Sequence, residues 1–160
     1  MIARRTLQWL FCLIAVLCQT SSSVAEEAII RLDVFSTAKI TAMHLLTDPR
    51  MMSDPSAILA EIETLKSRGE AEMVATPSLR GQLPFRAKSD GKVFVEVDAS
   101  GSADTLYSLN IAVQTGSPKQ ISKILTGLQL KAGRPKFLGT LEPLAPNERE
   151  RTWLVFIQAQ

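Results

Sequence analysis

The stretch ILAEIETLKSRGEAEMVATPSLRGQLPFRAKSDG, residues 58–91, begins as one face of a helix and continues as strands. Asp54 precedes it and can accept hydrogen bonds from the first free amides of a helix, while Pro55 suits the first helical position. Gly69 closes the helical pattern. We therefore predict a helix over residues 55–68, and its apolar stripe consists of Ile58, Leu59, Ile62 and Leu65.

The chain after Gly69 has the pattern of strands separated by turn residues. Asp90-Gly91, flanked by alternating apolar residues, predicts a hairpin. Alternation predicts strands over residues 71–76, 82–88, 92–99, 106–115, 121–131 and 136–141. A continuous apolar run over residues 153–158 predicts a last strand that is covered on both faces.

Two elements are predicted before the long helix. Residues 28–35 alternate between apolar and polar side chains, which is typical of a half-buried strand. Residues 37–46 have Ile40, Met43, His44 and Leu46 at helical spacing, which predicts a short helix packed on that face. The sum predicts an α+β fold in which one or two helices pack on a mostly antiparallel sheet.

The first 25 residues have the pattern of a cleavable secretory signal. Arg4 and Arg5 precede an apolar stretch over residues 7–17, and Ser23-Val24-Ala25 fits a cleavage site. A membrane anchor would need about 20 continuous apolar residues. We therefore expect a single mature domain, residues 26–160, that is exported to the periplasm or the outer-membrane periphery. After cleavage we expect no transmembrane segment, and the export route, general or twin-arginine, stays open.

Composition narrows the chemistry of this mature domain. Cys12 and Cys18 both lie within the predicted signal, so the mature chain would contain neither a disulfide nor a thiolate metal site. Its formal net charge would fall from +2 to zero with the loss of Arg4 and Arg5. Because the remaining cations are scattered among acids, we predict no nucleic-acid or anionic-membrane binding.

Groups that could catalyse a reaction are few. His44 is the one histidine, and its apolar setting predicts a packed side chain. A glycoside hydrolase site needs two carboxyls about 5 to 10 Å apart. The acids that could form such a site here all lie near one turn. Since no serine elbow or phosphate-binding glycine loop is present either, we predict a protein that is not an enzyme and needs no metal or cofactor. The acids in question are Glu61, Glu63, Glu70 and Glu72.

The glycines indicate structural positions. Five of them fall where the chain must turn, and glycine is favoured there because it can adopt positive φ. Three others lie in or beside strand patterns and predict bulges or close backbone approaches. The turn set is Gly69, Gly91, Gly101, Gly116 and Gly133, and the strand set is Gly81, Gly127 and Gly139.

The run over residues 58–91 resembles a stretch of the secretins, the outer-membrane channel subunits of type II and III secretion and type IV pilus systems. In that family a helix ending in glycine leads to a strand, a small-x-Pro turn, a Gly-Gln pair and a second strand. The matching positions here are Gly69, Ala75-Thr76-Pro77, Gly81-Gln82 and Phe85-Arg86-Ala87.

Three further segments are similar to the secretin β-domain. IIRLDVFST is similar to its opening strand, and LQLKAGRPKFLGTLE, with Gly133 and Gly139, to a strand-turn-strand unit. RTWLVFIQAQ is similar to its closing strand. The membrane and gate hairpins and the N-terminal ring-forming modules of secretins have no counterpart in this sequence, and residues 138–143 replace a family signature. The resemblance implies a secretin β-domain scaffold without its channel.

This resemblance implies a non-catalytic structural or interaction module of the cell envelope. Its partners would be copies of itself or a secretion channel, contacted through sheet edges, because unpaired strand edges are natural contact surfaces. The alternative is a small periplasmic domain that binds or inhibits through a captured ligand or peptide. A deep pocket with convergent polar groups would favour that alternative.

Overall fold

The computed structural model describes residues 27–102, 106–117 and 120–160, which form two antiparallel sheets with helices on one side. The predicted signal, residues 1–25, lies outside the described residues. The helices are α1 (Lys39–Thr47), α2 (Arg50–Ser53) and α3 (Pro55–Ser67), with a 3-10 turn at Pro146–Glu148. The strands are β1 (Glu27–Ala38), β2 (Ala71–Ala75), β3 (Ser78–Gln82), β4 (Phe85–Ser89), β5 (Phe94–Ser102), β6 (Leu106–Ser117), β7 (Gln120–Leu130), β8 (Lys136–Leu141) and β9 (Arg151–Ala159).

The first sheet is built around β1 and β9. Its order is β2-β1-β9-β8, and β3 pairs with β1 as well. One half of β1 lies opposite β2 and the other half opposite β3. Between these two halves the amide of Leu32 donates to the carbonyl of Pro77 at 2.9 Å. The two short strands and Pro77 therefore follow one side of β1 as a single bent strand.

The second sheet is a meander of β4, β5, β6 and β7 in that order. Alternate residues of β5 and β6 are buried against the first sheet, as their period-2 pattern predicted. The core between the sheets includes Ile30, Leu32, Val95, Val97, Leu109, Ile111, Val155 and Ile157. The protein is thus a sandwich of two sheets, and this core is its largest.

Helices cover the other face of the first sheet. Ile58 and Ile62 of α3 are buried against Phe35 of β1 and against two residues of β9, Leu154 and Phe156. The rings of Phe35 and Phe156 meet edge to face with centroids 6.1 Å apart. Because β9 has the helices on one face and the second sheet on the other, its apolar run is buried on both, as predicted.

The ends of α3 differ in how closely they follow the prediction. The side chain of Asp54 makes no capping hydrogen bond, so its predicted capping role is wrong. Instead the Asp54 carbonyl accepts from the Ala57 amide at 3.1 Å. At the other end Gly69 has φ +76, and the amides of Gly69 and Glu70 donate to the carbonyls of Lys66 and Leu65. That pair of bonds is the Schellman arrangement that favours glycine.

Residues 78–89 differ from the prediction of one strand over residues 82–88. They form two strands, β3 in the first sheet and β4 in the second. A cis peptide bond between Leu83 and Pro84 separates them. Proline has no amide hydrogen to donate to a ladder, so pairing ends there and the chain passes from one sheet to the other.

The burial of α1 also differs from the prediction. Ala42 and Leu45 are the buried residues, whereas His44 is exposed and Ile40 is 69% exposed. The predicted packing of Ile40, Met43, His44 and Leu46 is therefore wrong. Apolar residues occur on several sides of α1, so the sequence pattern alone does not show which side is buried. The buried face is the one whose residues, Ala42 and Leu45, belong to the same buried cluster as Phe35, Ile58 and Leu154.

The predicted α+β class and the predicted antiparallel pairing of the strands are confirmed. The described residues contain two sheets and three α-helices, rather than one sheet with one or two helices. No helix among them combines the length and the apolar character needed to span a membrane.

Candidate interaction site

The outer strands of the second sheet are β4 and β7, and they differ in how their edges are protected. β4 is five residues long. Its outward side chains Arg86 and Lys88 form ion pairs with Glu96 on β5. Short length and fixed charges are two common means by which proteins prevent strand addition at an edge. The β4 edge is therefore poorly suited to an incoming strand.

β7 has the opposite character. It is 11 residues long, and it pairs with β6 along that whole length. On its other side it has no strand partner within the described ranges. On its outward face Ile121 is 56% exposed and Leu125 is 67% exposed, with Lys123 between them. A long edge with exposed apolar side chains is the kind of edge at which another strand adds.

Side chains link β7 to β8 without a ladder of backbone bonds. The Ser122 hydroxyl accepts a hydrogen bond of 2.9 Å from the amide of Glu142, which follows β8. A Cβ built on Gly139 would lie 3.4 Å from Cδ1 of Ile124. Gly139 thus allows β8 to lie close to β7. These contacts hold β7 in place, while none of the described strands pairs with its free backbone edge.

Charges cluster on the outer face of the second sheet. Nε of Arg86 donates to Oε1 of Glu96 at 2.9 Å and lies 3.4 Å from Oδ1 of Asp98. The hydrogen bond from Arg86, helped by Lys88, holds the pKa of Glu96 below its ordinary value. Arg86, Glu96 and Asp98, with Asn110, Leu125 and Gly127, line a shallow depression of about 400 Å³. Arg86 is thus the one cation among these lining residues, and it is paired with both acids.

A second recess, of about 570 Å³, lies between the helices and the turn that joins β7 to β8. We call it the basic recess. Three cations line it, together with one carboxylate, Asp54. Its other lining residues include apolar side chains. The cations are Lys131, Arg134 and Lys136, and the apolar residues are Met52, Pro55, Leu106 and Pro135.

Comparisons with known proteins bear on this architecture. No protein-family model matches the chain, and no curated protein matches it. The cryo-EM structure of the T2SS secretin XcpQ from Pseudomonas aeruginosa is similar over 96% of this chain, with a TM-score of 0.51 and 9% sequence identity. The chain has a secretin-like fold. It spans 63% of that XcpQ chain.

A second solved structure is the InvG secretin domain β-barrel from the Salmonella SPI-1 injectisome NC-base. The match covers 84% of this chain and 61% of the InvG chain, with 11% identity and a TM-score of 0.39. The similarity to XcpQ confirms the sequence resemblance to secretins at the level of the fold.

The residues that carried the resemblance lie apart from one another in the secretin-like domain. Pro77 and Gly81 lie along β1, and Gln82 ends β3 opposite Glu27 rather than starting a strand. A Cβ on Gly81 would come within 2.7 Å of the Phe85 ring. Each of these positions shapes the chain path, and together they do not line one site.

Three further residues that carried the resemblance are glycines with positive φ. Gly133 has φ +73 in the β7–β8 turn, and its amide donates to the carbonyl of Ala159 at 2.8 Å. Gly139 has φ +146 where the register between β8 and β9 shifts. Gly69, described above, ends α3. These three glycines adopt backbone conformations that other residues rarely adopt.

Three of the four acids that could have formed a hydrolase site are each paired with a different cation. Glu61 pairs with Arg50 at 3.0 Å, Glu63 with Lys66 at 2.8 Å, and Glu72 with Arg151 at 3.5 Å. Glu70 is exposed at the turn after α3. In the part of the chain that the structure describes, no three acidic, histidine or cysteine residues lie close enough to hold a metal ion.

Two groups of surface residues were missed from sequence. Ile121 and Leu125 lie in the segment ISKILTGLQL, whose alternation places Ile124, Leu128 and Leu130 together on the opposite side. The cations of the basic recess occur together in KAGRPK, and the glycine and proline of that segment predict only a turn. Both groups of residues can be seen in the sequence. The residues that complete the exposed edge or the recess around them are distant along the chain.

Proposed function

We propose that residues 26–160 form an exported, non-catalytic interaction module of a secretion apparatus, released from residues 1–25 in the periplasm or at the outer-membrane periphery. The observation that carries this proposal is the β7 edge. It has no strand partner in the described parts of the chain, and Ile121 and Leu125 are exposed beside it. The secretin-like fold supports the connection with secretion.

The module would act by strand addition. An incoming strand would form main-chain hydrogen bonds along β7, and Ile121 and Leu125 would pack against its apolar side chains. The charges of Arg86 and Lys88 disfavour the same event at β4. The partner would be a second copy of this protein or a subunit of a secretion channel.

The test uses the complete chain produced in a Gram-negative host. Leu125→Lys places a charge on the β7 face, whereas Ile40→Lys changes an equally exposed apolar residue away from the sheets. A photo-crosslinking residue at Lys123 should capture a copy or a channel subunit, and Leu125→Lys should abolish the capture while Ile40→Lys should not. A strictly monomeric protein at high concentration, with no envelope partner captured, would contradict the proposal.

The predicted signal is tested on the same material. Intact-mass measurement of the protein recovered from the periplasmic fraction should give a chain that begins at Glu26. Recovery of the uncleaved chain from the cytoplasm alone would count against export.

A further inference from the structure

The basic recess is a second surface, formed by different elements from the exposed face of β7. Met52 comes from α2 and Pro55 begins α3, while Leu106 begins β6. Lys131 and Arg134 lie in the β7–β8 turn, and Lys136 begins β8. The fold therefore brings three separate parts of the chain to one concave place.

The cations of the recess have no partners within the described residues. Several other arginines, in contrast, have partners: Arg50 pairs with Asp48, Arg86 with Glu96, and Arg151 with Ser36 and Glu72. The side chains of Lys131, Arg134 and Lys136 form neither an ion pair nor a hydrogen bond with the part of the chain that the structure describes. Three like charges around one concavity create a positive potential that attracts anions.

Apolar surface lies beside these charges. Met52 is 78% exposed and Leu106 is 40% exposed, and Pro55 and Pro135 complete the apolar lining. A volume of about 570 Å³ lies within the range of sites that bind small molecules or a few side chains, about 300 to 1,000 Å³. A matching occupant therefore has both negative charge and an apolar group.

We propose that the basic recess binds an acidic segment of a partner protein, in which carboxylates flank an apolar side chain. The carboxylates would pair with Lys131, Arg134 and Lys136, and the apolar side chain would cover Met52 and Leu106. The support for a peptide is that three cations and an apolar surface line one concavity. It complements strand addition at β7 and does not depend on it.

An anionic membrane surface fits the recess less well. Asp54 lines the same recess as the cations. A sheet of lipid phosphates would place negative charge against this carboxylate, whereas a peptide can offer it a backbone amide or a hydroxyl. The cations also line a concavity, which a flat surface contacts poorly. Charge and shape together favour a peptide.

The probe is a short fluorescein-labelled peptide in which glutamates alternate with leucines, and its control has glutamines in place of the glutamates. The test variant is K131E/R134E/K136E. The matched control variant is K39E/R68E/R80E, which makes the same change in net charge at exposed cations outside both the recess and the β7 face. All six side chains are exposed, so both variants should fold, and circular dichroism checks that they do.

Fluorescence anisotropy should show binding of the acidic peptide to the wild-type protein and to the control variant. The recess variant should bind at least about tenfold more weakly, and added salt should weaken the binding. The glutamine peptide should not bind. Equal affinity of the two triple variants, or equal binding of the two peptides, would overturn the proposal.

Two further measurements separate the possible outcomes. Binding of phosphatidylglycerol vesicles that depends on the recess, without peptide binding, would overturn the peptide proposal in favour of a lipid surface. Leu125→Lys should leave peptide binding unchanged. The failure of strand addition at β7 is therefore distinguishable from the failure of the recess.

Discussion

The hydroxyl of Thr37 donates a hydrogen bond of 3.0 Å to the backbone carbonyl of Glu70, 33 positions later in the chain. Thr37 is buried near the end of β1, and Glu70 follows the glycine that ends α3. The bond adjoins the pairing of Thr37 with Ala71. It therefore attaches the end of α3 and the start of β2 to the central strand of the first sheet.

Replacement of Thr37 by valine should lower the free energy of unfolding by about 1 kcal/mol, the usual net value of one hydrogen bond. Valine keeps the shape of the side chain but cannot donate. The midpoint of urea denaturation measures the change. Thr37→Ser keeps the donor and is the control. If the valine variant were as stable as wild type, the bond would contribute nothing to the fold.

Gly139→Ala should lower the free energy of unfolding by about 1 to 3 kcal/mol, because φ +146 is a conformation that alanine rarely adopts. Gly91→Ala is the control. Gly91 does not have positive φ, and a Cβ there would meet nothing closer than 3.9 Å. Thermal unfolding of the two variants should separate them. Equal melting temperatures would show that alanine causes no backbone strain where the register between β8 and β9 shifts.

Ile62→Ala should lower the free energy of unfolding by about 2 to 5 kcal/mol, because it opens a cavity between α3 and the first sheet. Ile40→Ala removes the same atoms from an exposed position on α1. Its effect should stay within about 0.5 kcal/mol. Urea denaturation measures both changes. A large loss for Ile40→Ala would support the helix face that the sequence pattern predicted.

The pKa of Glu96 gives a prediction for the effect of pH. Its lowered value arises chiefly from the hydrogen bond donated by Arg86. Because the pKa is lower in the folded state, the pair stabilises the fold above the ordinary value of 4.5, and this contribution is lost as the pH falls through the lowered value. Carboxyl NMR titration should show a higher pKa for Glu96 in Arg86→Gln. Arg80→Gln should leave it unchanged.

Local patterns predicted three of the four strands of the second sheet and the span of α3. The strands predicted over residues 92–99, 106–115 and 121–131 correspond to Phe94–Ser102, Leu106–Ser117 and Gln120–Leu130. Alternation is a property of neighbouring residues, and so are the effects of Pro55 and Gly69 at the ends of a helix. Such signals can be interpreted without knowledge of distant parts of the chain.

The candidate sites could not be predicted from local sequence patterns alone. Met52 and Lys131 line one recess although 79 positions separate them, and neither residue is unusual by itself. Ile121 and Leu125 are exposed because the pairing of β7 with β6 turns Ile124 and Leu128 toward the core. The sequence groups Ile124, Leu128 and Leu130 on one side of the strand, and the structure turns that side to the core. The sequence does not show that Ile121 and Leu125, on the other side, stay exposed.

Sequence by itself determined the α+β class of fold, the extent of α3 and the alternation of the long strands, because these follow from interactions between residues close along the chain. The secretin-like character was indicated only by the resemblance of its segments to that family. The tertiary structure decided the division of residues 78–89 between two sheets, the buried face of α1 and the convergence of the basic recess. Each of these depends on which distant segment supplies a pairing or packing partner, and the energy of that choice belongs to the whole sandwich rather than to any one segment.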